Sequence, residues 1–448
     1  MTKVITYGTY DLLHYGHIKL LERAKALGDY LVVGVTADDF DRTRGKINVQ
    51  QSLMERVEAV RQTGIADEII VEEYEGQKID DIQRLGIDVF TVGSDWTGKF
   101  DYLDEYCKVV YLDRTQGVSS SDIRSRRNNL RLGITGNTPV VKKIIQEGRY
   151  VNGLEIVGVC TVESARKIQT VADGIPITRD YESLLNSVDA VYVLSHPSQH
   201  YRDVKTALDK GKHVICESPV ALTETGCAEL FALAKSKGLV LADGIKTAYS
   251  TAYSRMILLA KGGKIGDIIS VDAICTSLRE IDYSDNDRMA QTWNSITSWA
   301  PTALLPVFQL LGEDYMDAQI YSRIVNEEYL YDEFSKVTLH YPGAVASIKV
   351  GKGVKSEGEL IISGTKGYIY VPAPWWKTDY FEIRFENPAD NRRYFYQLDG
   401  EGIRNQLVSF LRRIECKGIS AISEATSRSI AGIMERYQSG DRLIRLQY

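Results

Sequence analysis

The stretch Tyr7-Gly8-Thr9-Tyr10-Asp11-Leu12-Leu13-His14-Tyr15-Gly16-His17 decides how the chain begins. The apolar, β-branched run from Lys3 to Tyr7 reads as a strand that breaks at a Gly-Thr turn. A helix then starts in the region of Leu13 to His17 and continues to Lys25. His14 and His17 stand three residues apart and share a helix face. They fall in the first turn, where free backbone N–H groups and the positive end of the helix dipole favour anions. Gly16 lets a ligand approach the backbone between them. An H-x-G-H in this setting predicts a phosphate-handling site.

Outward from this stretch, residues 1–125 alternate strand and helix. The pattern predicts strands over 3–7, 29–36, 68–72, 88–92 and 108–112, and helices over 17–27, 51–62 and 77–85. Such alternation argues for a parallel sheet covered on both faces, with ligands at the carboxyl ends of the strands. A second motif follows the last strand, Arg114-Thr115-Gln116-Gly117-Val118-Ser119-Ser120-Ser121. A guanidinium, hydroxyls and a glycine at a helix start suit a triphosphate, although serine N-capping explains the same text. Between the two motifs lies a basic loop, Arg42-Thr43-Arg44-Gly45-Lys46. Asp95, after the fourth strand, is placed to meet a base or sugar, and Arg56 reads either as a phosphate contact or as a surface arginine.

Composition bounds the rest. The chain has 448 residues, 44% hydrophobic and 25% charged, with a formal net charge of −6. This predicts two or three globular domains. No long basic run argues for nucleic acid as a partner. No apolar stretch reaches the roughly 18 residues of a membrane span. The opening leads straight into a strand, which predicts no signal peptide. The six cysteines (107, 160, 216, 227, 275, 416) are scattered. A reducing cytoplasm is the expected compartment.

Residues 1–125 resemble the glycerol-3-phosphate cytidylyltransferases. The resemblance is carried by Val4 to Lys25, Gly28 to Val33, Trp96-Thr-Gly-Lys-Phe-Asp101, Val109 to Leu112 and Arg114-Thr-Gln-Gly-Val-Ser119. It implies a Rossmann-like nucleotidyltransferase joining CTP and a polyol phosphate into a CDP-polyol and pyrophosphate. The acceptor phosphate oxygen attacks the α-phosphorus, so catalysis is positioning plus charge stabilisation. The resemblance implies His14, His17, Lys46 and Arg114 as catalytic groups. It implies Thr9, Tyr10, Asp11, Gly16, Asp95, Thr115, Ser119 and Ser120 around the nucleotide. Mg²⁺ is expected with the polyphosphate, with Asp11 as its candidate carboxylate. Two departures stand out: Arg44 replaces a second lysine, and Ser94 stands where an acidic residue is common. Adenylyl transfer from ATP is an alternative, since H-x-G-H enzymes also use that nucleotide.

Residues 126–129 read as a short linker. Over 130–246 the strand–helix alternation resumes, predicting a second Rossmann-type domain with strands at 130–135, 154–160, 188–194 and 212–216 and helices at 162–172 and 199–210. Over 247–448, strands dominate and two helices, 403–417 and 421–438, close the chain. This predicts an α+β domain with an open, mainly antiparallel sheet and helices on one side.

Residues 130–448 resemble the glucose–fructose oxidoreductase/inositol dehydrogenase family through Asp189 to His200, Ala207 to Pro219 and Gly263-Lys-Ile-Gly266. The resemblance implies NAD or NADP held near Gly133, Gly136, Asn137, Thr161, Glu217 and Pro219. The chain departs from the family where chemistry is done. Thr138 and Val141 take fingerprint glycine positions, Thr161 takes the ribose-binding acid's place, and Ser218 stands where the family has lysine. The family's aspartate and histidine fall near Ser298 and Thr302. Lys246 and Tyr249 are the substitute catalytic candidates. His196 and His200 have metal-pair spacing but no third ligand. Two readings follow. Either the second part reduces a sugar phosphate whose product the first part cytidylylates, or it is a redox-inactive scaffold for binding or dimerisation. Both resemblances imply a homo-oligomer, dimer or higher, with the open sheet as a natural surface.

Overall fold

The computed structural model describes residues 1–11, 13, 15–37, 49, 51, 53–74, 76–113, 129–136, 140–161, 174–279, 289, 291–396, 398–415 and 420–447. The chain divides into two compact units, Met1–Asn129 and Leu130–Tyr448.

In the first unit, β1 (Lys3–Gly8), β2 (Tyr30–Thr36), β3 (Glu68–Glu72), β4 (Val89–Gly93) and β5 (Lys108–Leu112) form one parallel sheet in the order β3-β2-β1-β4-β5. Each expected strand lies within a residue of its predicted bounds. Helices α1 (Tyr15–Lys25), α2 (Leu53–Gln62) and α3 (Gln77–Leu85) lie within two. Alternation along β1 sends Val4 into one apolar layer, with Leu21 and Ala24 of α1. Ile5 goes into the other, with Phe90 and Ile82 of α3. Each such aliphatic side chain contributes about 1.5–3 kcal/mol on burial.

The second unit opens with a parallel sheet of β6 (Leu130–Gly136), β7 (Leu154–Cys160), β8 (Ile177–Thr178), β9 (Ala190–Leu194), β10 (His213–Cys216) and β11 (Leu241–Asp243), ordered β11-β10-β9-β6-β7-β8. Its helices are α4 (Val140–Gly148), α5 (Tyr181–Asn186), α6 (Pro197–Asp209) and α7 (Glu224–Ser236). The helix expected at 162–172 lies outside the described residues. A short 3-10 turn, Lys246–Tyr249, leads into α8 (Thr251–Lys261).

Ten strands among the described residues then build one sheet: β12 (Ile268–Leu278), β13 (Asp317–Asn326), β14 (Tyr331–His340), β15 (Val345–Gly351), β16 (Gly353–Val354), β17 (Leu360–Gly364), β18 (Tyr368–Val371), β19 (Tyr380–Arg384), β20 (Arg392–Phe395) and β21 (Leu443–Arg445). Most neighbours are antiparallel, but β12–β15 and β13–β21 are parallel, so the sheet is mixed. Strand order is set by pairings far apart in sequence, which periodicity does not encode. Helix α9 (Ser295–Leu311) lies across this sheet, and α10 (Ile403–Ile414) and α11 (Glu424–Ser439) end the fold. Helix α9 was not anticipated. It carries no charged residue and holds Pro301 and Pro306, which hide the helical period. Its Ala300, Ala303, Leu304, Val307 and Phe308 join one core with Val271, Ala273, Val337, Ala346 and Ile348 of the sheet. No helix among the described residues is long and apolar enough to cross a membrane.

Candidate functional site

In the first unit, β1 delivers Thr9, Tyr10 and Asp11 to the carboxyl edge of the sheet. Tyr10 adopts a left-handed backbone, φ 53°, uncommon for a non-glycine residue. This turns its ring into the core, edge-on to His17, with centroids 5.5 Å apart. Burial raises the Tyr10 hydroxyl well above its ordinary range, so the phenol stays neutral. Gly16 and His17 occupy the first turn of α1, as the motif predicts. Asp11 Oδ1 accepts from the Gln51 amide at 3.0 Å, closing the turn onto the approach to α2.

Arg56 is not a surface arginine. It is 0% exposed. One guanidinium nitrogen donates to the carbonyls of Thr9 (2.7 Å) and Thr36 (2.8 Å), and Nε donates to that of Gln51 (3.2 Å). It therefore fastens the ends of β1 and β2 to the start of α2. Deeper, Lys78 pairs with Glu72, which also accepts from Thr36 Oγ1 at 2.9 Å. Tyr7 donates to Asp81 at 2.9 Å. Sequence reasoning missed this polar layer, because the pairs join different elements. Arg23 of α1 donates to the Asp113 carbonyl at 2.8 Å, tying the histidine helix to the end of β5.

The structure thus brings together Thr9, Tyr10, Asp11, Gly16 and His17. His14, Lys46, Arg114, Thr115, Ser119 and Ser120 lie outside the described residues, and Asp95 is described only in its main chain, a 3-10 turn after β4. For Mg²⁺, Asp11 already spends one oxygen on the Gln51 amide. No group of three ligating side chains occurs among the described residues. The metal's ligands would come chiefly from the nucleotide's phosphates.

In the second unit, a cavity of about 920 Å³ opens at the carboxyl ends of β6, β7 and β9, lined there by Gly136, Thr161, Leu194 and Ser195. Strand order reverses between β6 and β9, the switch point where open α/β sheets bind ligands. Gly136 has φ 137°, and a Cβ on it would lie 2.3 Å from the Leu194 carbonyl oxygen, so only glycine fits. The Ser195 hydroxyl on this wall is buried and has no hydrogen-bond partner among the described residues. Location, volume and the orphaned hydroxyl fit a dinucleotide, while Thr161 offers no carboxylate to a ribose. Asn137 lies outside the described residues.

Other expected residues move. Gly133 is a packing glycine: a Cβ there would meet Leu184 and Val188 at 3.0 Å, away from the cavity lining. Pro219 does not line the cavity either; its carbonyl meets His200 Nδ1 at 2.7 Å. His200 is fully buried, its other ring nitrogen at 2.8 Å from the Ser195 carbonyl, so it fastens loops. Lys246 and Tyr249 are likewise absent from the lining. Lys246 pairs with Glu401 at 2.5 Å, and Lys143 and Lys377 hold the same carboxylate. Burial would raise Glu401, but the three lysines hold it well below the usual carboxylate range. Tyr249 is buried, with its hydroxyl toward the Asp243 carbonyl.

Glu217 does line the cavity, where desolvation pushes its carboxyl up to about 7, against the lowering charge of Lys246. His196 lines it too, and burial, with His200 beside it, pulls its imidazole down to about 4. Facing them is a residue the sequence did not flag, Lys352. It is 6% exposed, donates to the Trp293 carbonyl, and burial, with Arg279 nearby, pulls its ammonium down to about 7. Its signal is only a lysine between two glycines; its role appears once β12, β15 and β16 meet. Ser298 also lines the cavity.

Comparison with known proteins follows the division of the chain. Residues 5–126 match the cytidylyltransferase-like family, and residues 130–244 match an oxidoreductase family with an NAD-binding Rossmann fold. The chain is 52% identical over 124 residues to a glycerol-3-phosphate cytidylyltransferase of Bacillus spizizenii, covering 28% of this chain and 95% of that protein. It is 46% identical over 128 residues to the Staphylococcus aureus enzyme of the same name, covering 28% and 93%. In fold, 71% of the chain superposes on all of a 3-ketoreductase from Actinomadura kijaniata, solved with NADP and TDP-benzene, at TM-score 0.61 and 17% identity. By its first unit the chain belongs to the cytidylyltransferases, close to those acting on glycerol 3-phosphate, and this enzyme domain is fused to a Rossmann module of the glucose–fructose oxidoreductase/inositol dehydrogenase family.

Proposed function

We propose that the first unit makes CDP-glycerol, or the CDP derivative of a longer polyol, from CTP and the polyol phosphate. The observation that carries this is His17 in the first turn of α1, braced by the buried Tyr10 ring at the carboxyl end of β1. The acceptor's phosphate oxygen forms a bond to the α-phosphorus as the bridging bond to the β-phosphate breaks, and pyrophosphate leaves. No protein nucleophile is needed. His17, with His14, donates to oxygens on which charge builds, and the α1 N-terminus adds its dipole. Lys46, Arg114, Thr115, Ser119 and Ser120 hold the remaining phosphates, and magnesium enters with the nucleotide. Pyrophosphate release with each of four nucleoside triphosphates and glycerol 3-phosphate tests this reading. Turnover with ATP alone overturns it.

The second unit is the reductase that supplies the polyol phosphate to the first. Gly136 and Ser195 shape a dinucleotide's place at the strand ends, and Glu217 borders it. NADPH or NADH, when bound, supplies hydride for a carbonyl; the chain's residues orient the substrate and exclude water. Ser218 at the family's lysine position favours the alternative of a binding or dimerisation scaffold. NADPH or NADH binding, read by fluorescence, separates the two, and no binding of either leaves the scaffold.

A further inference from the structure

The cavity of the second unit keeps its carboxylates to one side, where Arg202 is paired with Asp203 at 3.0 Å. The acids that line it, Glu182, Asp203 and Glu217, all come from the Rossmann half. The opposite wall, from the sheet half, carries Arg279, Trp293, Trp299 and Lys352, and no carboxylate among the described residues.

Lys352 sits between β15 and β16 and is locked by its backbone. Its amide meets Ser295 Oγ at 3.0 Å, and its carbonyl accepts from the Arg279 amide at 2.9 Å. The two cations therefore arise from adjoining backbone. The ammonium is buried, gives one bond to the Trp293 carbonyl, and makes no ion pair among the described residues. Asp332, the acid whose charge it feels, is occupied by Ser335 Oγ at 2.6 Å and the Ile296 amide at 3.1 Å. An ammonium has three donors, and burying one without a counter-charge is expensive. On the same wall the Trp299 indole N–H is buried with no partner among the described residues, and an indole nitrogen can only donate. Two cations and a spare N–H call for an acceptor-rich anion.

We propose that this wall binds the phosphate of the second unit's substrate, a small phosphorylated carbonyl compound, through Lys352, Arg279 and the Trp299 indole. The inference rests on reading that unit as the reductase that feeds the first. A phosphate monoester fits better than a carboxylate, because two cations match a dianion. A product passed to a cytidylyl transfer must also already carry its phosphate. Lys352 then takes the place in the cavity for which sequence offered Lys246.

The test is calorimetric titration of the full chain with dihydroxyacetone phosphate, with unphosphorylated dihydroxyacetone and with inorganic phosphate. The wild type is expected to show a site for dihydroxyacetone phosphate that Lys352→Met weakens at least about tenfold and Trp299→Phe about threefold, as loss of charged and single N–H donors requires. Dihydroxyacetone should bind at least about tenfold more weakly, and inorganic phosphate should compete. Trp299→Phe keeps the ring, and the wild-type competition needs no variant, so the test survives a misfolded Lys352→Met. Equal affinity in wild type and Lys352→Met, or for the ketone with and without its phosphate, overturns the inference. NADPH binding is measured in parallel. Binding of NADPH with no Lys352-dependent phosphate site keeps the reductase and discards this subsite. A Lys352-dependent site without NADPH binding discards the reductase and keeps an anion-binding pocket.

Discussion

The two units treat buried charge in opposite ways. The first matches it: Lys78 pairs with Glu72, Tyr7 with Asp81, and Arg56 with three carbonyls. The second leaves several groups without an ion pair among the described residues: Asp243, Asp332 and Lys352, all buried. Matched charges stiffen the frame that carries the motif from Thr9 to His17. Of the second unit's three, only Lys352 lines the cavity, the place for a partner from outside. The described part of the first site, Thr9 to His17, is written in neighbouring residues. The second site is assembled across more than a hundred.

The largest expected effect tests the contiguous motif. His17→Ala should lower cytidylyl transfer about 10²–10³-fold, the usual worth of one preorganised donor. Pyrophosphate release measures it, and a loss under tenfold would move the transfer centre elsewhere. Next, Arg56→Met should strip the carbonyls of Thr9, Thr36 and Gln51 of a donor and destabilise the first unit by roughly 2–4 kcal/mol. Scanning calorimetry should show the first unit's transition fall while the second's stays; a common fall would mean the frame is shared.

Asp243 probes the other side of the contrast. Burial pushes its carboxyl up to about 6, although Ser427 and Ser218 donate to it. The unfolded chain titrates this group near its ordinary value, so folding takes up a proton between the two. The penalty for the charge is absent below about pH 4, grows to about pH 6 and is constant above. Asp243→Asn should therefore stabilise the second unit by about 1–3 kcal/mol at pH 7.5 and by nothing at pH 4. A variant less stable at both pH values would show that the carboxylate is needed where it is. The smallest effect is expected at Lys246→Ala. Glu401 keeps Lys143 and Lys377, so the loss should stay near or under about 1 kcal/mol. Any reductase turnover should persist. Turnover abolished at unchanged stability would return Lys246 to the reacting groups.

Much of the fold is readable in the chain. Alternating strands and helices in 1–112 carry their period locally, and their bounds fall within two residues of the structure. The wide sheet of the second unit shows its strands but not their order, because β12 pairs with β15 across some seventy residues. At the sites, Thr9, Tyr10, Asp11, Gly16 and His17 follow from one motif. Gly133, Lys246 and Lys352 have surroundings that the text alone does not carry, for one reason: each is set by what packs against it. Leu184 and Val188 occupy the space beside Gly133, Glu401 captures Lys246, and Trp293 turns Lys352 inward.

Arg56 has one more implication, for how this sequence can drift. Three of the groups it grips are main-chain carbonyls, which every substitution at positions 9, 36 and 51 leaves in place. A lost side-chain partner can be restored by a second mutation, but these contacts offer no such second site. A lysine at 56 would present a single nitrogen where a planar fork is required. In a saturation library the position should be almost immutable, and a search for compensating changes in those carbonyl-bearing residues should return none.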